Sequence, residues 1–381
     1  MNIKCPNCGG PLIYDVESGM MKCSYCDGLS SKEEYDSQEK EYMEMNIYHC
    51  SSCGADLMVG KTQASTFCSY CGSPSIVHER VSKEEKPKKI IPFKITEEQA
   101  LSCIKDRFRQ GSYIPSKIKE LTPEKVRAIY IPYWLYSAYV RKKTTITAQA
   151  DNDRYIYNRD VSCTYKNIPM DASLKLSNDL SRRLEPYHMK ELEDFDVSYL
   201  SGYYADKYDV PQDALTGQVQ KRCRRFMNLE ILHSCPHANM IPTKSGNIAN
   251  YSESGTEEEY ELQDVTYALL PAYFVHIQYD KGKELIIVNG QTGKVVGNLP
   301  VEKGRFISMF IKNAAIACTI YSLLSILFLS FPPLLMLFIF PVIITAIFVV
   351  SGIKGYNKYK LGMQQLASKH MTAYANRRED L

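Results

Sequence analysis

The chain has 381 residues, a length that allows two or three domains, and its formal net charge of +3 says little until divided along the sequence. Its thirteen cysteines are an odd total, which argues against a secreted domain stapled by disulfides and suits a reducing compartment. The start, Met1-Asn2-Ile3-Lys4-Cys5, leaves no room for a signal peptide before the first cysteine.

Two stretches near the N-terminus carry one four-cysteine frame, displaced by 45 residues. Cys5, Cys8, Cys23 and Cys26 map onto Cys50, Cys53, Cys68 and Cys71, and the second pair reads Cys-Ser-Tyr-Cys each time. Two residues between cysteines let a tight turn aim both sulfurs at one point. A second such knuckle, brought alongside by a hairpin, completes a tetrahedral S4 cage of the kind zinc accepts. A duplicated unit should keep its ligands together, so each frame closes on itself. The expectation is two tandem zinc ribbons, residues 1–30 and 47–81, joined by a polar spacer at 31–46. Iron could occupy the same thiolate cage, and zinc is preferred. Four protein ligands make each site structural, and so few apolar residues imply that the metal supports folding. Up to Val81 there are six Lys or Arg against eleven Asp or Glu, an acidic balance that does not suit a phosphate-binding face.

Ser82 to Lys89 is charged and contains Pro87, so it reads as a linker. Residues 90–300 are enough for a domain with its own core. Thr96 to Gln99 reads as a capping box for a helix with Leu101, Ile104 and Phe108 on one face and Gly111 as its stop. Asp213 to Ile231 reads as a second helix, with Leu215, Val219, Cys223 and Met227 in register. Val126 to Val140 and Val265 to Tyr279 read as strands and resemble each other around a proline: Ile131-Pro132-Tyr133-Trp134-Leu135 matches Leu270-Pro271-Ala272-Tyr273-Phe274. Leu285 to Val288, Asn289-Gly290 and Lys294 to Val296 read as a hairpin. The expected middle domain is therefore α+β, built largely on antiparallel strands, and the 28 tyrosines fit half-buried strand faces.

From Phe306 to Val350 the only charged residue is Lys312. Forty-five helical residues would extend about 68 Å, more than twice a bilayer core of about 30 Å. Pro332-Pro333 should break the segment, giving an expected transmembrane hairpin over 306–353 with spans at 314–331 and 334–353. Lys303, Arg305 and Lys312 precede the first span, while Lys354, Lys358 and Lys360 open the basic tail 354–381. The positive-inside rule then predicts a two-pass protein of the inner membrane with both termini cytoplasmic, its tail resting on membrane lipids.

Other motifs carry less. Gly60-Lys61-Thr62 ends like a phosphate-binding loop, but Ala55 stands where the first glycine is required. His233, Cys235 and His237, with Cys223 nearby, fit no common metal-cage spacing. Lys221-Arg222 and Arg224-Arg225 form a basic patch on the second helix, ordinarily a solvated face. No Ser/His/Asp triad, Cys-His nucleophile pattern or carboxylate pair stands out, so no enzyme activity is expected.

The chain resembles a family of bacterial membrane proteins with an N-terminal zinc ribbon of the transcription-factor-IIB type, some of them labelled primosomal-helicase-related. The resemblance rests on the Cys-x2-Cys ribbons, Ile90-Ile91-Pro92-Phe93-Lys94, Ile131-Pro132-Tyr133-Trp134, the segment Val288 to Pro300 containing Asn289-Gly290-Gln291-Thr292-Gly293-Lys294, and the C-terminal hairpin. It implies a non-enzymatic adaptor acting beside membrane-scaffold proteins of the SPFH and phage-shock types. The helicase label fails, because the sequence has neither a phosphate-binding loop nor an acidic ATPase box. The expected function is a membrane-anchored zinc-ribbon adaptor. The alternative is a membrane-tethered nucleic-acid-binding protein using the ribbons and the basic helix.

Overall fold

The computed structural model describes residues 5–31, 42–59, 68, 70–71, 73, 76–109, 126–150, 152–176, 178–238, 240–243, 246–279 and 282–297, with isolated helical positions from Gly304 to Lys354. Residues 32–41 of the expected spacer 31–46, Gly60-Lys61-Thr62, the helix stop at Gly111 and the tail after Lys354 lie outside the described residues.

Two unusually long strands organise the molecule. They are β8 (Val126–Ala150) and β14 (Tyr251–Tyr279), antiparallel over nearly their whole length. The two similar proline-centred segments lie opposite each other in this pair. Ile131 faces Leu270, Pro132 faces Leu269 and Pro271 faces Tyr130, so the internal likeness is arranged around a local two-fold between Ile131 and Leu270.

Around this pair grows an eleven-stranded sheet. Its main path includes β4 (Tyr42–Cys50), β5 (Asp56–Val59), β6 (Ile76–Glu85), β7 (Lys89–Ile90), β10 (Glu193–Asp194) and β11 (Tyr204–Asp206). The order is β10-β7-β14-β8-β11-β5-β4-β6, with β9 (Asp153–Asp171) pairing β8, β15 (Gly282–Asn289) pairing β14, and β16 (Val295–Gly297) pairing β15. A separate three-stranded sheet is formed by β1 (Leu12–Tyr14), β2 (Met21–Cys23) and β3 (Leu29–Ser30), and β12 (Met240–Thr243) pairs β13 (Gly246–Ala249).

The central sheet is buried on both faces, which is why residues 126–136 are almost continuously apolar rather than alternating. Tyr130, Trp134, Tyr136, Leu269 and Tyr273 share one side with Ala100, Leu101 and Ile104 of α1 (Glu97–Arg109). Ile131, Tyr133, Leu270 and Phe274 share the other with Leu180 and Leu184 of α2 (Asn178–Leu184). The capping box forms: the Thr96 N–H donates to Gln99 Oε1 (2.9 Å) and the Gln99 N–H to Thr96 Oγ1 (3.3 Å).

Beyond residue 137 the sheet narrows to a three-stranded arm, in the order β9-β8-β14, on the order of 40 Å long at strand rise. Register shifts at Tyr136/Ala138 and Leu262/Asp264 mark the passage from body to arm, as bulges commonly mark a change of strand direction. One arm face is covered by α3 (Thr216–His233), through Val219, Cys223, Met227 and Ile231. The opposite face is polar, with Arg141 forked onto Asp160 at 3.1 and 2.9 Å. The helix expected from Asp213 begins with a 3-10 turn, Gln212–Leu215, before α3.

Two expectations are corrected. The described chain is mostly sheet with few helices, and the strands of the second ribbon belong to the eleven-stranded sheet instead of forming a small separate unit. The physical reason is an edge: β5 pairs β11, so the ribbon hairpin continues the central ladder. The two-pass inner-membrane placement also fails: among the described residues no helix is long and apolar enough to cross a membrane. The helical positions described between Gly304 and Thr319 mix Ile307, Ile311 and Ile316 with Ser308, Lys312 and Thr319. The rest of the expected spans 314–331 and 334–353 lies outside the described residues.

Candidate metal centres

Each cysteine frame is shaped by a pair of backbone turns that repeat almost atom for atom. The Cys5 N–H donates to Gly10 O (2.7 Å) and the Gly9 N–H to Cys5 O (2.9 Å). In the second frame Cys50 donates to Ala55 O and Gly54 to Cys50 O, both at 2.8 Å. Gly9 and Gly54 adopt φ of +72° and +73°, the left-handed conformation that glycine enters without a Cβ clash. The other knuckles match as well, Cys23 donating to Gly28 O (2.9 Å) and Cys68 to Ser73 O (2.8 Å).

These turns bring the sulfurs of Cys5, Cys8, Cys23 and Cys26 within 4.8 Å of one another, and likewise those of Cys50, Cys53, Cys68 and Cys71. Their sulfurs lie 3.7 Å (Cys5–Cys26), 3.4 Å (Cys8–Cys23), 3.7 Å (Cys50–Cys71) and 3.6 Å (Cys53–Cys68) apart. A tetrahedral ion with metal–sulfur bonds of about 2.3 Å needs sulfurs about 3.8 Å apart, so both donor sets fit one. They are too far apart for disulfides, whose sulfurs lie about 2.05 Å apart. Both groups could hold a metal ion. The thiols also differ in acidity. In the first group the Cys26 and Tyr25 backbone N–H groups pull Cys23 down to about 6. In the second, hydrogen bonds from Cys53 and Cys68 hold Cys71 far below the ordinary thiol range.

The same chain segment receives both ribbons. Strand β1 docks on residues 199–203: the Tyr14 N–H donates to Ser201 O (3.2 Å), Tyr203 Oη to Tyr14 O (3.1 Å), and Ser201 Oγ to Leu12 O. Gly202 is required here, because at φ +91° a Cβ would stand 2.3 Å from Ile13 Cγ2. The equivalent strand β5 pairs the next three residues, Val59 with Tyr204, Met58 with Ala205 and Leu57 with Asp206. The ligand-bearing hairpins thus lie consecutively along 199–206.

The second ribbon has an additional lock that the sequence did not reveal. Tyr70, inside the Cys68–Cys71 knuckle, donates its hydroxyl to Asp206 Oδ2 (2.5 Å) and sets its ring edge against Phe274, centroids 5.2 Å apart. Asp206 is fully buried and also accepts from Ser173 Oγ (2.9 Å) and Lys175 Nζ (3.0 Å). Burial raises the Asp206 carboxyl, opposed by Lys175. For Lys175 burial acts downward, but Asp206 and Asp209 outweigh it and leave the ammonium raised. The only signal in the sequence was the repeated tyrosine in Cys-Ser-Tyr-Cys.

Neither the family models nor the solved structures include a match to this chain. A curated relative does match: "Uncharacterized protein YdjG" of Bacillus subtilis (strain 168) is 33% identical over 337 residues, covering 81% of this chain and 93% of the relative. The chain belongs to the YdjG family. That name assigns the family no activity.

The remaining motifs have structural employment in this YdjG-family chain. Asn289 is buried; its Oδ1 accepts from the Gln291 and Thr292 N–H groups (both 2.9 Å), and its Nδ2 donates to Leu184 O (2.9 Å). Gln291 clamps the same loop, its Oε1 accepting from the His188 N–H at 2.8 Å. Gly290 leaves room for Phe93, whose ring carbon would be 2.6 Å from a Cβ there. The Ile90–Lys94 and Asn289–Lys294 motifs are therefore two sides of one packing joint.

Cys223, His233, Cys235 and His237, whose spacing fits no common cage, form no metal-ligating group among the described residues. His237 stacks on Tyr155, centroids 3.8 Å apart, and its Nδ1 meets Tyr157 Oη. Cys223 and Cys235 are buried. The basic patch is partly neutralised, since Arg222 forks onto Glu185 and Arg224 reaches Glu258 at 2.5 Å.

Proposed function

We propose that the chain is a non-enzymatic adaptor whose two four-cysteine groups hold structural zinc and whose ordered surfaces dock other proteins. The observation that carries this reading is that four thiols from one frame close around one point in each group. A zinc ion there would keep no open position for substrate or water, unlike a catalytic zinc. Zinc supplies such a brace without redox chemistry, and its binding energy adds directly to folding.

Protein is the favoured partner class over nucleic acid. The first 81 residues are acidic in balance, and Arg222 and Arg224 on the most basic helix are committed to Glu185 and Glu258. The resemblance noted in the sequence supplies a candidate class, scaffold proteins of the SPFH and phage-shock types. Elemental analysis of the full chain should find about two zinc ions per molecule. Gel shifts at low salt, where phosphate binding is strongest, should show no complex with DNA or RNA. A chain that folds without metal, or that shifts nucleic acid in a steeply salt-dependent way, would overturn the proposal.

A further inference from the structure

The duplicated knuckles put their tyrosines to different use. Tyr70 and Tyr25 occupy equivalent positions of the repeated Cys-Ser-Tyr-Cys sequence. Tyr70 is engaged within the chain, hydroxyl on the Asp206 carboxylate and ring edge on Phe274. Tyr25 is 78% exposed, and its ring lies over Gly10, where a Cβ would come within 2.7 Å of it. The equivalent of Gly10 in the second ribbon is Ala55. Where Asp206 stands opposite Leu57 in the second ribbon, Ser201 meets the equivalent Leu12 in the first, its hydroxyl donating to Leu12 O. Leu29, 51% exposed, and Ile13, 40% exposed and set against Gly202, are the cross-strand neighbours of Lys22 in the same small sheet.

We infer that the Tyr25 knuckle is a docking site for a partner polypeptide that presents an aspartate or glutamate beside an aromatic ring. The second ribbon displays the bound form of that contact within the molecule itself: a phenol donating to a strand carboxylate, with its ring edge-on to a second aromatic. A tyrosine ring left in water next to a rigid metal knuckle offers apolar area and a directed donor with little ordering cost, as anchors of protein interfaces do. The inference rests on the adaptor reading and names the chemistry of its partner.

The probe is a synthetic peptide copying residues 203–210 of this chain, Tyr-Tyr-Ala-Asp-Lys-Tyr-Asp-Val, with a counterpart in which the residue matching Asp206 is asparagine. Metal-loaded full chain labelled with 3-fluorotyrosine is titrated with each peptide, and the Tyr25 fluorine resonance is assigned by its loss in Tyr25→Phe. The Tyr25 signal should move saturably at millimolar peptide, about fivefold more weakly with the asparagine peptide, the worth of one hydrogen bond of about 1 kcal/mol. The Tyr70 signal should stay still, because its partner is already held within the chain. No movement of Tyr25, or equal movement with both peptides, overturns the docking site. Metal content of the same sample separates the two readings: a two-ion chain that ignores the peptide leaves the adaptor standing, whereas a metal-free folded chain removes both.

Discussion

The two ribbons share one ligand frame, yet one is set against the body while the other is part of it. The first keeps a three-stranded sheet of its own and meets the body through β1 and residues 199–203. The second gives β4, β5 and β6 to the eleven-stranded sheet and locks Tyr70 onto a buried carboxylate. Identical thiol frames can therefore carry very different mechanical weight, decided by what the ribbon's free strand edge meets.

Substituting one ligand in each frame would test that difference most severely. Cys68→Ser should cost about 4 kcal/mol or more, because losing a structural metal removes the folding energy it supplies. The chain's one tryptophan, Trp134, reports it: the indole is buried on β8, donates to Val210 O (2.8 Å) and should redden in emission as the sheet opens. Cys23→Ser should release the first ion and leave Trp134 emission unchanged. Equal responses would erase the comparison.

The Asp206 lock should come next in size. Asp206→Ala leaves Lys175 buried beside Asp209 alone, at about 3–5 kcal/mol in denaturant unfolding. Tyr70→Phe should cost about 1–2 kcal/mol, since it removes one hydroxyl from a charged acceptor. Gly202→Ala attacks the other ribbon. The clash with Ile13 should loosen β1 by about 1–3 kcal/mol, seen as faster amide exchange at Leu12–Tyr14 with Trp134 emission unaltered.

The smallest effect should be the arm's response to acid. Hydrogen bonding from Lys142 and Thr144 lowers the Glu253 carboxyl below its ordinary 4.5, against the opposing influence of burial. A depressed acid contributes stability above its unfolded value and loses it as pH falls through the folded one. Amide exchange near Glu253 should therefore quicken below about pH 4.5, and Glu253→Gln should flatten the dependence. A pH-independent arm would show that Lys142 is held by Asn228 alone.

Local spacing made much of this visible in the sequence. Cys-x2-Cys turns, the Thr96–Gln99 cap and the hairpin at Asn289-Gly290 are set by neighbours a few residues apart, and all appear in the structure. The likeness between the Ile131 and Leu270 segments was also legible, though not that the two would pair with each other. What stayed hidden depends on distant partners. Nothing near Asp206 announces that Tyr70, 136 residues earlier, supplies its proton donor. Ser82–Lys89 reads as a charged linker, yet β6 runs through Glu85 at the end of the strand order, where an edge tolerates charge, and β7 begins at Lys89 between β10 and β14. The length and low charge of 306–350 suggested a span; among the described residues, no helix meets that requirement.

Stepwise removal of metal from the intact chain tests the central claim most directly. Native mass spectrometry would count the ions during chelation while Trp134 emission follows the sheet. The account predicts that the first ion leaves from Cys5, Cys8, Cys23 and Cys26 with emission constant, and that loss of the second opens the sheet. Emission that changes with the first ion, or that never changes, would contradict it.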